Sequence, residues 1–443
     1  MELIWASGLR ERTRSELLSR APSEAGGAIL CRTSGDGGRA RYLALDFEPA
    51  RDDEMTESWE TGLTVDPSFW VRLAKPARHR GMSILPIHTH PGCERPPRFS
   101  ARDTAGERAL QPVLERLTTR PSAAVVMGEH HERVGRFDEK GRRLEGTARS
   151  IGVGPRRSEQ RGTPISEAFS RHVLAFGEEG QRRLAALTAV VVGASGTGSH
   201  ICEQLIRLGV GRLIVIDPDV IETVNLNRIV TAFADDALAL RSKAAVVAEY
   251  ARRVGTGTHV EPVAQNLLDQ PTSTRLSDAD VLFGCTDTLA SRAILNRFAV
   301  QAFVPYWDCG TEISSGAGLR AYGRVRLVLA GGPCLHCMGT IDPQQLRAEL
   351  LEPSARECEV SQGYIRDVAV VAPAVVSVNA VVASLATTSF VRWAVGDEPI
   401  EGGEWVYRSY AGDVRRHSAP RNPDCPVCGV DARLGRAELA LRL

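Results

Sequence analysis

Three groups of residues have types and spacings that could do chemistry. The first begins in VVVGASGTGSH, where Gly193, Gly196 and Gly198 lie between an apolar strand-like run and a helix-like run. Backbone N–H groups in such a turn can approach a phosphate, and the N-terminus of the following helix favours its negative charge. The spacing is G-x-x-G-x-G, which is neither the dinucleotide fingerprint nor a Walker loop. On this feature alone a plain tight strand-to-helix turn is the alternative reading. Asp217 follows Gly198 by 19 residues, at a strand end, where a carboxylate can reach ribose hydroxyls. Asp219, Asn227, Arg228 and Lys243 come next, and Asp287 and Arg292 follow a later strand. An acid among several cations suits Mg²⁺ held between phosphates.

The second group is sulfur. GGPCLHC supplies Cys334 and Cys337, and NPDCPVCG supplies Cys425 and Cys428, with 87 residues between the pairs. Two C-x-x-C knuckles offer the four thiolates of a structural tetrahedral Zn²⁺ site, and a redox pair is the competing reading. His336 lies inside the first knuckle as a bystander. The third group opens in MSILPIHTHP. His88 and His90 stand at i and i+2 of a strand and therefore face one way. FSARD then opens a helix with Ser100 and Asp103. Two His and one Asp leave the fourth position of a zinc site open, the arrangement of a catalytic metal. Glu24, at the start of an earlier strand, is a candidate general base beside it.

The elements that must position these residues fall into two units. The stretch Gly146 to Pro164 has four Gly, two Pro and four Arg and no apolar periodicity, and reads as a linker. Before it, GGAILCRT and ARYLALDF are strand-like and joined through SGDGG as a hairpin, MSILPIHTH and SAAVVMGE are strands, and ARDTAGERALQPVLERL is a helix. After it, TAVVVG, RLIVID, HVEPVAQ, ADVLFGC and FVPYWDC alternate with helical runs. Nearly continuous apolar strands in repeated βα units predict a parallel, doubly wound sheet. The fold class is therefore α/β, with a mixed α/β N-terminal domain over 1–145, the linker over 146–164 and a Rossmann-like domain over 165–443.

Composition bounds the function. The 443 residues allow two or three domains, with 43% apolar and 24% charged residues. Lys+Arg and Asp+Glu are equal at 54, which argues against a general nucleic-acid or anionic-membrane binder. Only Lys75, Lys140 and Lys243 are lysines, so a lysine at a motif position is informative. Val368–Val391 is 24 residues without a charge, but its Pro, Asn, Ser and Thr residues favour a core or interface helix over a membrane span. The charged start, MELIWASGLRERTRSE, does not read as a signal peptide, and ten cysteines in such a chain predict reduced thiols in a cytoplasmic protein.

Residues 165–430 resemble the ThiF/MoeB/HesA family of ubiquitin-activating-type adenylyltransferases. AFSRHVLAFGEEGQRRL, VVGASGTGSH, LGVGRLIVIDPDVIETVNLNR, the lysine of RSKAAV and CTDTLASRAILN stand in the family's order, with Ser195 in place of a usual Gly and Thr288 in place of a usual Asn. The resemblance implies that Gly193, Gly196 and Gly198 form an ATP loop, that Asp217 holds the ribose, that Arg228 and Lys243 hold phosphates, and that Asp287 holds Mg²⁺. It implies that Arg171 reaches across a homodimer onto the triphosphate. It implies acyl-adenylate formation on the C-terminal glycine of a ubiquitin-like or sulfur-carrier protein. Cys358 resembles the family cysteine that forms a thioester or persulfide, although extra residues separate it from Pro373 and the usual Gly-Val pair is replaced by Gly363-Tyr364. A spectator thiol is the alternative for Cys358. Cys31, Cys93, Cys202, Cys285 and Cys309 read as buried bystanders.

Residues 10–140 resemble the JAB/MPN (JAMM) metalloproteases, through Glu24, then His88-Thr89-His90-Pro91, then Ser100 and Asp103. The 12 residues between His90 and Asp103 are slightly more than the usual spacing. The resemblance implies a zinc hydrolase with Glu24 as base and Ser100 at the oxyanion; a metal-free fold that docks a carrier's tail is the alternative. His79, His130 and His131 belong to no pattern and read as surface residues. Together the halves imply that one chain activates a carrier's terminal glycine and cleaves after it, with a conjugating enzyme as a possible further partner. Sulfur-carrier activation for cofactor or cysteine synthesis stays open beside protein modification. A nicotinamide-linked dehydrogenase would leave Arg228, Lys243 and Asp287 without a task.

Overall fold

The computed structural model describes residues 1–35, 40–59, 62–155, 164–314, 318–362, 373–396, 398–429 and 432–435. The chain separates into two compact units, essentially Met1–Ile151 and Gly152–Arg433. The middle of the expected SGDGG hairpin, part of the expected linker and Gly363-Tyr364 lie outside the described residues.

In the first unit the order is β1 (Glu2–Trp5), α1 (Leu9–Leu18), β2 (Gly26–Ser34), β3 (Arg41–Pro49), β4 (Met55–Trp59), β5 (Gly62–Val65), α2 (Pro67–His79), β6 (Ser83–Thr89), α3 (Ala101–Thr118), β7 (Ala124–Met127), β8 (Glu132–Phe137) and β9 (Arg143–Ser150). Seven of these strands close into a barrel, in the order β1-β3-β2-β6-β7-β8-β9, while β4 and β5 pair separately. The closure is made by β1, which runs parallel to both β3 and β9. Trp5, Ile29, Leu85 and Val125 fill one core of this unit. Phe69, Leu73, Ile84 and Leu114, from α2, β6 and α3, fill another.

The linker expectation needs correction here. Gly146–Ser150 is not a connector but the second half of β9. Gly146 closes the local pairing with Val134 on β8, and the residues after it pair with a distant strand, so no local pattern marks them as a strand. The backbone of Thr147 to Ser150 is registered on Glu2 to Trp5, and Arg149 is tied to Glu2 at 2.8 Å.

The second unit continues with α4 (Ser170–Ala185), β10 (Thr188–Val192), α5 (Gly196–Leu208), β11 (Arg212–Ile216), α6 (Ala234–Leu238), α7 (Lys243–Val254), β12 (His259–Val263), α8 (Gln270–Ser273), β13 (Val281–Gly284), α9 (Leu289–Ala302) and β14 (Tyr306–Ile313). After these come β15 (Ala321–Val328), α10 (Pro343–Glu349), α11 (Pro353–Ser361), α12 (Val376–Val395), β16 (Gly403–Arg408) and β17 (Asp413–His417). One eight-stranded sheet results, ordered β12-β11-β10-β13-β14-β15-β16-β17. The first five strands are parallel, as their unbroken apolar runs predict, and Val190, Val191, Ile214 and Phe283 are completely buried. The last three add antiparallel edges. Strand order reverses between β10 and β13, so a crevice opens beyond their C-terminal ends, where open α/β sheets take ligands.

Residues 376–391 of the uncharged segment lie in α12, whose length and apolar composition would suffice for a membrane span, with half of the relevant window buried inside the fold. It packs along α5 and over β14 and β15. Phe390 and Trp393, both fully buried, sit against Trp307, and Phe390 also meets Phe283 edge-on. Phe390→Ala should cost this unit about 3–5 kcal/mol, the range for deleting a buried aromatic ring. Chemical denaturation checks this, and a loss below 1 kcal/mol, given the ~3 kcal/mol floor for such deletions, would contradict the buried-helix packing.

Candidate functional site

The glycine turn is built by close approach. Gly193 has a left-handed φ of 88°, open to glycine at little cost. A Cβ on Gly198 would overlap the Gly193 carbonyl, so the turn can fold back on itself only with glycine there. The neighbouring strand holds the turn in place. Asp217, at the end of β11, accepts the Ala194 N–H at 2.6 Å through Oδ2 and the Asp219 N–H at 2.9 Å through Oδ1. Burial raises the Asp217 carboxyl above its ordinary range, and these two N–H groups and Lys243 pull the other way. Each carboxylate oxygen keeps a second lone pair, so the group can still accept a sugar hydroxyl.

A cleft of about 660 Å³ opens above the turn. Gly193, Gly196, Asp217, Asp219, Arg228, Lys243, Asp287 and Arg292 all line it. Lys243 starts α7, is only 7% exposed, and places Nζ 2.8 Å from the more exposed Asp219 carboxylate. Arg228 is held in a turn by Val224 O at 2.6 Å and Asn227 Oδ1 at 3.1 Å. Arg292 reaches the fully buried Asp308 at 3.4 Å, and Asp308 also takes Arg326 at 2.9 Å and the Tyr306 hydroxyl at 2.9 Å. Burial works against the Arg292 cation, but Asp308, with Tyr306, Cys309 and Asp287, together outweigh it, so the cation is favoured. The wall thus carries fixed cations with an acid, Asp287, among them, a donor set that fits a nucleotide triphosphate with Mg²⁺.

Three sequence-picked residues lie elsewhere. Asn227 is exposed and outside the cleft's lining, because its side-chain carbonyl serves Arg228. Arg171 is exposed near the start of α4 and does not line the cleft of its own chain. Cys358 is exposed on α11, also outside the lining, with Gln362 Nε2 3.3 Å from its sulfur. Gly198 is buried beneath the turn and shapes the loop from below. The structure adds two residues that no motif announced. Thr197 lines the cleft and donates its hydroxyl to Asn379 Oδ1 at 3.3 Å, and Asn379, on α12, lines the same cleft. In the sequence Asn379 is one of several polar residues in a mainly apolar helix, and nothing local sets it apart from them.

The two cysteine knuckles converge. Cys334 Sγ lies 3.6 Å from Cys425 Sγ and Cys337 Sγ 3.4 Å from Cys428 Sγ, and all four ligand atoms fit within 4.8 Å of one another. Crowding splits their titration. A hydrogen bond from Cys428 lowers Cys334 to about 5, and Cys428 is driven up in turn. This is a four-cysteine cluster of the zinc-binding type, tying the Cys425 segment to the Cys334 loop.

In the first unit His88 and His90 meet Asp103. The turn before β2 is fixed by Thr89, whose N–H donates to Ala25 O and whose Oγ1 accepts the Ala25 N–H, both at 2.9 Å. This puts Glu24, 6% exposed, within 3.7 Å of His90 Nε2. Asp103 stands 3.3 Å from His88 and 3.4 Å from His90. Burial alone would raise the Asp103 carboxyl, but the two imidazoles hold it well below the usual range. Burial raises Glu24, although His88 and His90 oppose it. His88 Nε2 is buried without a hydrogen-bond partner, and the three side chains each offer a ligand atom within 4.8 Å of the others. That orphaned nitrogen and the donor set fit a zinc ion. Ser100 caps α3: its Oγ accepts the Asp103 N–H at 3.1 Å, and Asp103 Oδ2 accepts the Ser100 N–H at 2.6 Å. The serine therefore orients a candidate ligand, and its hydroxyl proton is still there to donate.

The ThiF family model matches residues 169–427, more than half of the chain. The chain belongs to the ThiF family. Among curated ThiF-type relatives, the SAMP-activating enzyme E1 of Haloferax volcanii is 29% identical over 267 residues, 59% of this chain and 88% of that protein. The molybdopterin-synthase adenylyltransferase of Escherichia coli (strain K12) is 26% identical over 266 residues, 59% of this chain and 95% of that protein. The adenylyltransferase and sulfurtransferase MOCS3 of Sus scrofa is 30% identical over 257 residues, and the chain spans 50% of its length. ATP use is expected for ThiF enzymes, and the cleft is where the geometry would admit it.

Cys425→Ser should remove one zinc-binding site and lower the unfolding midpoint of the Gly152–Arg433 unit by several degrees or more, as loss of a structural metal does. Metal analysis with thermal unfolding of wild type and variant checks this. Unchanged metal content in the variant would contradict the four-cysteine site.

Proposed function

We propose that this chain adenylates the C-terminal glycine of a ubiquitin-like or sulfur-carrier protein, and that its first unit hydrolyses a bond formed at that same glycine. The observation that carries the first half is the cleft, where the turn at Gly193–Gly196, Asp217, Arg228, Lys243 and Asp287 line one volume in a ThiF-family chain. The relatives' names give the substrate class: a SAMP-activating enzyme and a molybdopterin-synthase adenylyltransferase.

In this reading a carrier carboxylate oxygen attacks the α-phosphorus of ATP. The bond to the bridging oxygen of pyrophosphate breaks, and an acyl-adenylate and pyrophosphate result. Asp217 accepts from the ribose, the turn's N–H groups face the phosphates, and Arg228, Lys243 and Arg292 neutralise charge that grows on the leaving group. Asp287 would hold Mg²⁺. Lys243 swings from Asp219 to phosphate when ATP binds, so its partner is exchanged and its charge never buried alone. Arg171 would reach the triphosphate of a second copy, and the Cys358 thiolate would attack the acyl-adenylate carbonyl, expelling AMP and leaving the glycine as a thioester. The protein would work as a homodimer in the cytoplasm, with a conjugating enzyme as a downstream partner.

The second half rests on the convergence of His88, His90 and Asp103 beside Glu24. A zinc ion held there supplies Lewis-acid polarisation and makes water nucleophilic near neutral pH. Glu24, its carboxyl raised by burial, takes the proton of the attacking water. Ser100 donates to the oxyanion, and the bond after the carrier's glycine breaks.

Two outcomes test these halves separately. Lys243→Ala should lower carrier-dependent pyrophosphate exchange into ATP by about 10²-fold or more. Lys243→Arg should restore it only in part, because a guanidinium does not reproduce an ammonium point charge in a buried position. Exchange at the wild-type rate in Lys243→Ala would contradict the assignment. For the hydrolase half, the substrate is a carrier with a short C-terminal extension. Glu24→Ala should abolish cleavage and keep zinc, whereas His90→Ala should lose both. Equal cleavage by wild type and Glu24→Ala would remove Glu24 from the chemistry, and tight carrier binding without cleavage would make the first unit a docking module.

A further inference from the structure

One polar group in the cleft has no task in the reading above. Asn379 is 3% exposed, and its Nδ2 is buried without any hydrogen-bond partner. The other end of the same amide is fixed, since Oδ1 accepts the Thr197 hydroxyl at 3.3 Å. In this arrangement the N–H₂ end faces Gly196. The fit there is close enough that a Cβ on Gly196 would overlap Nδ2. Gly196 is the first residue of α5, a 13-residue helix whose N-cap, Ser195, supplies no side-chain hydrogen bond. Gly196, Thr197 and Asn379 all line the 660 Å³ cleft. An apolar helix that carries a buried, half-satisfied amide to the start of another helix is unfavourable unless something completes the pairing.

We propose that the Asn379 side chain is a phosphate-binding residue of this cleft, donating Nδ2–H to a non-bridging oxygen of the nucleotide's α-phosphate. This rests on the reading that the cleft binds ATP. The choice of phosphate follows from the turn. Asp217, the ribose-side carboxylate, holds Ala194, two residues before Gly196. The phosphate lying over Gly196 is therefore the one nearest the sugar. The helix N-terminus and the amide then address one group from two directions, and the donor set needs no charged side chain at the atom under attack. An amide there stabilises charge on the α-phosphoryl oxygens without competing with the incoming carboxylate, as a second acid would. It also gives Gly196 a reason beyond the turn itself, because any side chain would displace the donor.

The test is calorimetric binding of ATP, AMP and adenosine to full-length wild type, Asn379→Ala and Asn379→Asp. Asn379→Ala should weaken ATP and AMP alike by about 10-fold or more, the scale of a hydrogen bond to a charged group, and leave adenosine unchanged. Asn379→Asp keeps the shape and the oxygen that faces Thr197, and retained adenosine binding in each variant guards against a folding defect. It should weaken both nucleotides further, because a carboxylate replaces the donor, and again spare adenosine. Unchanged ATP and AMP affinity in both variants would overturn the proposal. So would an equal loss for adenosine, which would make Asn379 a support of the turn only. A loss for ATP but not AMP would overturn the α-phosphate assignment. Wild type that binds AMP yet shows no carrier-dependent pyrophosphate exchange would sink the adenylation reading and leave the amide assignment standing; wild type that binds none of the three would sink both.

Discussion

The second unit depends on one interlock, the Asp217 carboxylate at the end of β11 gripping the Ala194 N–H at the end of β10. A glycine-rich turn has many conformations to lose, and glycine loses most. The grip, together with Gly198 folded under the Gly193 carbonyl, fixes the turn before any ligand arrives. It also sets the geometry of everything that follows. Asp219 is registered through its own N–H to Asp217, Lys243 is paired to Asp219, and α5 starts where the turn ends. The cleft is preorganised in the sense that matters for charge stabilisation, with donors aimed in advance.

Much of this was legible in the chain. β10, β11 and β13 read as strands because both faces of a parallel sheet are buried, which demands unbroken apolar runs. The glycine turn, Asp217 and Asp287 were legible because each follows a strand end at the sheet's C-terminal edge, and Lys243 because it is one of only three lysines. The antiparallel strands β15, β16 and β17 were not. They carry residues such as Arg324, Arg326 and Glu404, whose charges are satisfied only across strands, as in Arg326–Glu404 at 2.9 Å. No local pattern announces such pairing. The second half of β9 was hidden for the same reason: beyond its hairpin with β8, Thr147–Ser150 pair with β1 at the far end of the unit's sequence. Asn379 was hidden by distance, 182 residues from the Thr197 hydroxyl that orients it.

The first unit shows how a short motif acquires meaning from register. His88 and His90 alternate along β6 and its end, but what aligns Glu24 with them is the pairing of Gly26 opposite His88. Asp103 arrives from a helix start whose capping box also fixes Ser100. One serine hydroxyl and one carboxylate thus serve both helix and site, which ties the candidate metal ligands to the stability of α3. The ThiF family match begins at residue 169, so the weight of the hydrolase proposal falls on this convergence of side chains.

The central claim is attack by a carrier's terminal carboxylate on the α-phosphorus of ATP in the Gly193–Asp287 cleft. The most direct measurement labels that carboxylate with ¹⁸O and analyses the AMP released when the acyl-adenylate is discharged to a thiol or amine. The account predicts one ¹⁸O atom in the AMP phosphoryl group, carried over from the carboxylate. AMP without label, from a reaction that consumes ATP and carrier together, would contradict it.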